Sequence, residues 1–110
     1  MEKEIITFAE SAQSLVARIS CEIDHHTAAR LRTRIDRELF LVRPNMLRLD
    51  FTEVRFMDSS GIALINTLRR RQMAIGGSFE ITNMQRQPMR VLTGAGLAGL
   101  AAPLRPATRL

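Results

Sequence analysis

Two short segments hold most of the side chains that could do chemistry: Asp24-His25-His26-Thr27 and Met57-Asp58-Ser59-Ser60-Gly61-Ile62. In the second, a carboxylate and two hydroxyls stand together before a glycine. One reading is a helix cap, in which an Asp or Ser oxygen accepts free N–H groups of a first turn, worth about 1 kcal/mol. Capping accounts for one such residue. It does not account for three in a row before a glycine, which costs up to ~1 kcal/mol against alanine in a helix. Gly61 suits a place where another group approaches the backbone closely. The other reading is a modifiable serine, because a phosphoryl dianion at a helix start meets the positive dipole end and unpaired N–H groups. Residue types alone leave both readings open.

Other chemistries fit less well. The serine segment lacks the first glycine of G-x-S-x-G, and both histidines lie upstream, so no hydrolase triad order is completed. His25 and His26 are adjacent and would point about 100° apart on a helix. A zinc site would then need Cys21 and Asp24 from a strand end, and Asp24 as an N-cap beside half-exposed histidines is the simpler reading. Cys21 has no flanking cation besides those histidines to make it a thiolate nucleophile. Gly94-Ala95-Gly96-Leu97-Ala98-Gly99 matches G-x-G-x-x-G in letters only: it follows a helix, and no acid lies downstream. No metal and no cofactor are expected.

The elements that must position these segments follow from periodicity. Ile5 to Phe8 and Ser14 to Ser20 read as strands, able to pair antiparallel across Ala9–Gln13. From Thr27, Ala28, Leu31, Ile35 and Leu39 recur at helical spacing up to the stop before Pro44. Met46 to Phe51 is a third strand. Gly61 to about Ile75 is a second helix, closed by Gly76-Gly77. Ser78 to Thr82 is a fourth strand, and Pro88 opens a short third helix ending at Gly94 or Gly96. Leu97 to Leu104 has the apolar content of a last strand but is broken by Gly99, Pro103 and Pro106, leaving a degenerate edge strand at best. This alternation predicts one α/β domain over 1–110, with a mixed, mostly parallel sheet of four to five strands and three helices. Both segments then follow a strand and open a helix, at the carboxyl ends where open α/β sheets place their sites.

Composition narrows the function class. The 110 residues are 45% hydrophobic and 25% charged, which excludes disorder. The net charge of +5 comes from sixteen basic residues, of which only Lys3 is lysine. That balance invites nucleic acid, yet there is no Trp or Tyr and no basic tail, so no direct nucleic-acid binding is expected. Arg30, Arg32, Arg34, Arg37 and Arg69 to Arg71 are expected on helix faces away from the two segments. The start Met1-Glu2-Lys3-Glu4 does not read as the basic opening of a signal peptide, so none is expected, and the longest uncharged stretch, Val91 to Leu104, is too short to span a bilayer. With Cys21 the sole cysteine, the expectation is a cytoplasmic protein without membrane contact.

At the two segments the chain resembles the anti-sigma factor antagonists of the STAS domain family, above all the sporulation antagonists of the anti-sigma F factor. Glu22-Ile23-Asp24-His25-His26-Thr27-Ala28 is similar to the family's first-helix start. Phe56-Met57-Asp58-Ser59-Ser60-Gly61-Ile62 is similar to its phosphorylation loop, and Ile75-Gly76-Gly77 to the end of the helix that follows. The likeness covers about residues 5–97, with 98–110 an atypical tail; Cys21 stands where relatives carry glycine.

The resemblance implies a STAS-like fold and a switch rather than an enzyme. The unmodified form would bind an anti-sigma factor, a serine kinase with a histidine-kinase-like ATPase fold, and release the sigma factor. That kinase would phosphorylate Ser60, with Ser59 the fallback, and a metal-dependent serine phosphatase would reset it. By the same resemblance Asp24, His25, His26, Thr27, Asp58, Ser59, Gly61 and Ile62 form the partner-binding surface, Gly61 letting the kinase approach and Ile62 offering an apolar contact. Two alternatives are a STAS binding module of a stress-signalling or transporter-associated complex, and a nucleotide-binding or hydrolytic enzyme, for which no complete acid–base set is present.

Overall fold

Leu15, Ala17 and Ile19 are buried while Val16 and Arg18 between them are not, so the strand they form (β2, Ser14–Ile19) turns one face to a core and one outward. The same alternation holds in the strand Met46–Asp50 (β3), where Leu47 and Leu49 are buried. The computed structural model describes residues 4–102. Lys3, Pro103, Leu104 and Pro106 lie outside the described residues.

The elements run β1 (Ile6–Ser11), β2, α1 (His25–Val42), β3, α2 (Ser59–Ala74), β4 (Ser78–Thr82), α3 (Arg86–Gly94) and a short 3-10 turn at Ala98–Leu100. The sheet order is β1-β2-β3-β4, with β1 antiparallel to β2 and the other neighbours parallel. This is the single α/β domain expected, with a four-stranded mixed sheet and three helices. α1 buries Ala28, Leu31, Ile35 and Leu39, and α2 buries Leu64, Ile65 and Leu68, against Phe51, Leu47, Leu49 and Ile81. The outward sheet face is polar, crossed by ion pairs of Arg48 with Glu80 and of Arg18 with Glu53 at 3.1 Å.

Boundaries shift where hydropathy is silent. β1 runs on to Ser11 because Ala9, Glu10 and Ser11 pair through backbone with Val16, Leu15 and Ser14 on an exposed edge, around a tight turn with Ala12 at φ 51°. α1 begins at His25 and α2 at Ser59, each just after an aspartate cap rather than at the first apolar position. Gly76 (φ 75°) takes the left-handed position beyond α2 that glycine adopts without strain. The expected last strand is reduced to one parallel bridge, Ile81 with Ala101, in which the Ala102 N–H donates to the Ile81 carbonyl at 2.7 Å. Among the described residues no helix is long and apolar enough to cross a membrane.

Candidate functional site

Because β2 and β3 are parallel neighbours, the connections leaving them emerge side by side. The structure joins them directly. The Ile23 N–H donates to the Phe56 carbonyl at 3.0 Å and the Asp58 N–H donates to the Ile23 carbonyl at 3.1 Å, a one-residue parallel bridge between Ile23 and Met57. The two segments read from the sequence therefore form one surface at the carboxyl edge of the sheet.

Each segment is an aspartate-capped helix start. Asp24 Oδ1 accepts the N–H groups of His26 (2.9 Å) and Thr27 (3.0 Å), while the Thr27 hydroxyl accepts the Asp24 N–H at 2.9 Å. This reciprocal box fills orphan donors of the first turn. Those backbone donors, Thr27 foremost, hold the Asp24 carboxyl below the usual aspartate range. Asp58 Oδ1 accepts the Ser60 N–H at 2.8 Å, making Asp58 the cap of α2, Ser59 its first residue and Ser60 its second. Capping and a serine at the helix start thus coexist, each explaining different residues of one motif.

Accessibility sorts the expected rim. His25, His26 and Ser59 are exposed; Asp24, Thr27, Asp58 and Ser60 are half-buried. Gly61, expected to let a partner approach, is itself buried, and the packing gives a second reason for a bare position there. A Cβ there would stand 2.6 Å from Met57 Sδ and 3.3 Å from Ile23 Cγ2, so the bare position lets α2 pack against the bridge. Ile62 is half-buried and packs on the core, leaving less of it for a partner contact than expected. The rings of His25 and His26, the first two residues of α1, lie close, with centroids 4.1 Å apart at 35°, where divergence was expected.

Below this rim runs a groove of about 250 Å³ between the two helices. His25, Ala28, Ala29 and Arg32 line it from α1, and Ser60, Ala63, Leu64 and Thr67 from α2, matching stripes at helical spacing. Small side chains keep it open. Arg32 belongs to this groove, which corrects the expectation that the helix arginines all lie away from the site: one face of α1 carries both His25 and, seven residues on, Arg32. Asp36 links the two helices, accepting from Arg71 at 2.8 Å and pairing with Arg32 at 3.4 Å.

Two positioning features had no sequence signal. Gln87 of α3 contacts the backbone of Met57 through both its amide atoms, and Gln85 Nε2 donates to the Thr52 carbonyl at 2.6 Å, so the β4–α3 side holds the loop over 52–57. Asp50 anchors that loop's start: its Oδ1 accepts from the Thr52 N–H (2.9 Å), the Thr52 hydroxyl (2.5 Å) and Asn83 Nδ2 (3.0 Å). Burial pushes the Asp50 carboxyl up, but these donors outweigh it and hold it below the usual range. Glutamines in the first turn of a helix are ordinary surface residues by type, and only the packing reveals their partners. Cys21 is half-buried and its thiol is pushed up by burial, which Thr27 and Arg30 only partly oppose. Among the described residues no group of three His, Cys, Asp or Glu side chains could hold a metal ion.

Comparison with known proteins agrees with this geometry. The family model of the STAS domain matches residues 6–108. An anti-sigma F factor antagonist of Paenibacillus polymyxa is 29% identical over 83 residues, spanning 76% of this chain and 71% of that protein. Among solved structures, the anti-sigma factor antagonist SpoIIAA in its unphosphorylated form aligns with a TM-score of 0.78 at 24% identity, over 88% of this chain and 85% of that one. SpoIIAA in its phosphorylated form, described as a Bacillus cell fate determinant, aligns at 0.71 and 24% identity, over 88% of each chain. These two likenesses show a shared fold.

Proposed function

The chain belongs to the STAS domain family, and we propose that within it the protein acts as an anti-sigma factor antagonist, a binding module and not an enzyme. In this reading the unmodified chain binds an anti-sigma factor serine kinase through the surface around Asp24–Thr27 and Asp58–Ser60, and so frees a sigma factor. Phosphorylation of Ser60 by that kinase ends the binding, and a metal-dependent serine phosphatase restores it. The observation that carries the reading is the placement of Ser60: second residue of α2, capped by Asp58, at the mouth of a groove shared with His25. The name borne by the curated relative supports it.

The physics of such a switch suits the site. A phosphoryl group adds nearly two negative charges at the start of α2, where the helix dipole and free N–H groups stabilise it within the protein. The same charge beside Asp58 must be desolvated when a partner covers the surface. Burying an unpaired charge in an interface costs about 2–5 kcal/mol, or roughly thirty- to several-thousand-fold in affinity.

Incubation of the purified chain with its anti-sigma kinase and ATP tests this. Intact mass is expected to show one added phosphoryl group, absent in Ser60→Ala and retained in Ser59→Ala. Because Ser59 is the more exposed hydroxyl, the reverse pattern would move the switch to Ser59. Binding of the kinase by Ser60→Asp as tightly as by wild type would refute the charge mechanism.

A further inference from the structure

The bridge to Ile23 uses the carbonyl of Phe56 and the N–H of Asp58. In a parallel pairing the residue between them, Met57, turns its own N–H and carbonyl to the opposite side, where a further strand would take them. Among the described residues no strand lies there. Gln87 supplies both bonds instead: its Oε1 accepts the Met57 N–H at 2.9 Å and its Nε2 donates to the Met57 carbonyl at 3.1 Å. One side chain of α3 thereby completes the pairing of the residue directly before Asp58.

We propose that Gln87 is a positioning residue for the Ser60 switch. Met57 is held by α3 on one flank and by Ile23 on the other, and its buried side chain underlies Gly61. Asp58 follows it directly and caps α2 through the Ser60 N–H. The position of the Ser60 hydroxyl is therefore set by where Met57 sits, and Gln87 ties that position to α3. Loss of the clamp leaves a backbone N–H and carbonyl unpaired at a half-buried site, which favours opening of the loop over 52–57. The kinetic part of this inference rests on Ser60 being the phosphoacceptor; the structural part does not.

The test uses the full chain with Gln87→Met, which keeps the length and removes both polar atoms, and Gln87→Glu, which keeps the acceptor and loses the donor. Gln72→Leu serves as a control. It deletes a buried amide at the opposite end of the sheet, where Gln72 Nε2 donates to Ser78 O at 3.2 Å. In Gln87→Met the Met57 amide is expected to exchange with solvent at least about tenfold faster, while Leu47 and Leu49 change no more than in the control. Gln87→Glu is expected to fall between. With the anti-sigma kinase, kcat/KM for phosphorylation of Ser60 is expected to drop about tenfold in Gln87→Met and to stay near wild type in Gln72→Leu. Unchanged Met57 exchange overturns the clamp. Faster exchange with wild-type phosphorylation overturns its role in the switch. If the wild-type chain itself takes no phosphate from its anti-sigma partner, the reading of Ser60 fails, and exchange at Met57 alone decides the clamp.

Discussion

Ile23 and Met57, thirty-four positions apart, meet in a single parallel bridge that fuses two helix starts into one surface. The contact is tight on both sides: each residue is fully buried, and Gly61 of the following helix faces them with no side chain of its own. Gly61→Ala tests that packing. Alanine is the better helix former by up to ~1 kcal/mol, yet its Cβ would fall 2.6 Å from Met57 Sδ in a closed core. Overpacking of this kind costs about 1–3 kcal/mol, so the expected result is a net loss of roughly 1 kcal/mol in urea unfolding. Pairing the change with Met57→Ala should give less loss than the sum of the single variants, because the smaller side chain vacates the space the new methyl needs.

Asp58 caps α2, and in the proposed reading its charge also bears on the partner; two substitutions separate the two. Asp58→Ala removes the acceptor of the Ser60 N–H and is expected to cost about 1 kcal/mol of stability. Asp58→Asn keeps a capping oxygen, so thermal unfolding should stay near wild type. It also removes the negative charge beside Ser60. If charge at this rim governs the partner, Asp58→Asn should soften the loss of kinase binding caused by Ser60→Asp, as read by calorimetry on the double variant.

How far the sequence reaches is clear from particular residues. The face of α1 was legible because Ala28, Leu31, Ile35 and Leu39 repeat at helical spacing and are indeed buried; in α2 the apolar positions Ile62, Ile65, Leu68 and Met73 told only part of it, since Ile65 and Leu68 are buried while Met73 is 59% exposed. The union of the two candidate segments was legible once the strands were read as parallel, since parallel neighbours present their carboxyl ends together. Three things were not. The extension of β1 to Ser11 rests on backbone pairing at an exposed edge, to which hydropathy is blind. The reason for Gly61 lay in a neighbour, Met57, whose burial no local pattern announces. Gln72, 1% exposed, bonds the carbonyls of Pro44 and Asn45, and Gln87 bonds the backbone of Met57; such bonds to distant chain leave no trace in residue type.

The Cys21 thiol offers a direct probe of the α1 start. Burial holds it above its usual pKa, so less than the ordinary fraction is thiolate at neutral pH. Alkylation by iodoacetamide at pH 7.5 is expected to be several-fold slower in the native chain than in the same chain unfolded in urea. Thr27→Val removes a hydroxyl that works in the opposite direction on the thiol. Reaction in that variant should slow further, unless loss of the capping box opens the segment. Amide exchange at His26 distinguishes the two outcomes.

Asp24 gives a pH dependence whose sign follows from its environment. Its folded-state pKa lies below the usual aspartate value because the Thr27 and His26 N–H groups favour the charged form. The stabilisation it contributes is therefore complete above the unfolded value of about 4 and is lost as pH falls through the lower folded value. Asp24→Asn caps the helix with a neutral oxygen and carries no such dependence. The difference in unfolding free energy between wild type and Asp24→Asn should be flat from pH 5 to 7 and shift against wild type below pH 4. A difference that grew in favour of wild type on acidification would mean that Asp24 is not held in its charged form by those two donors.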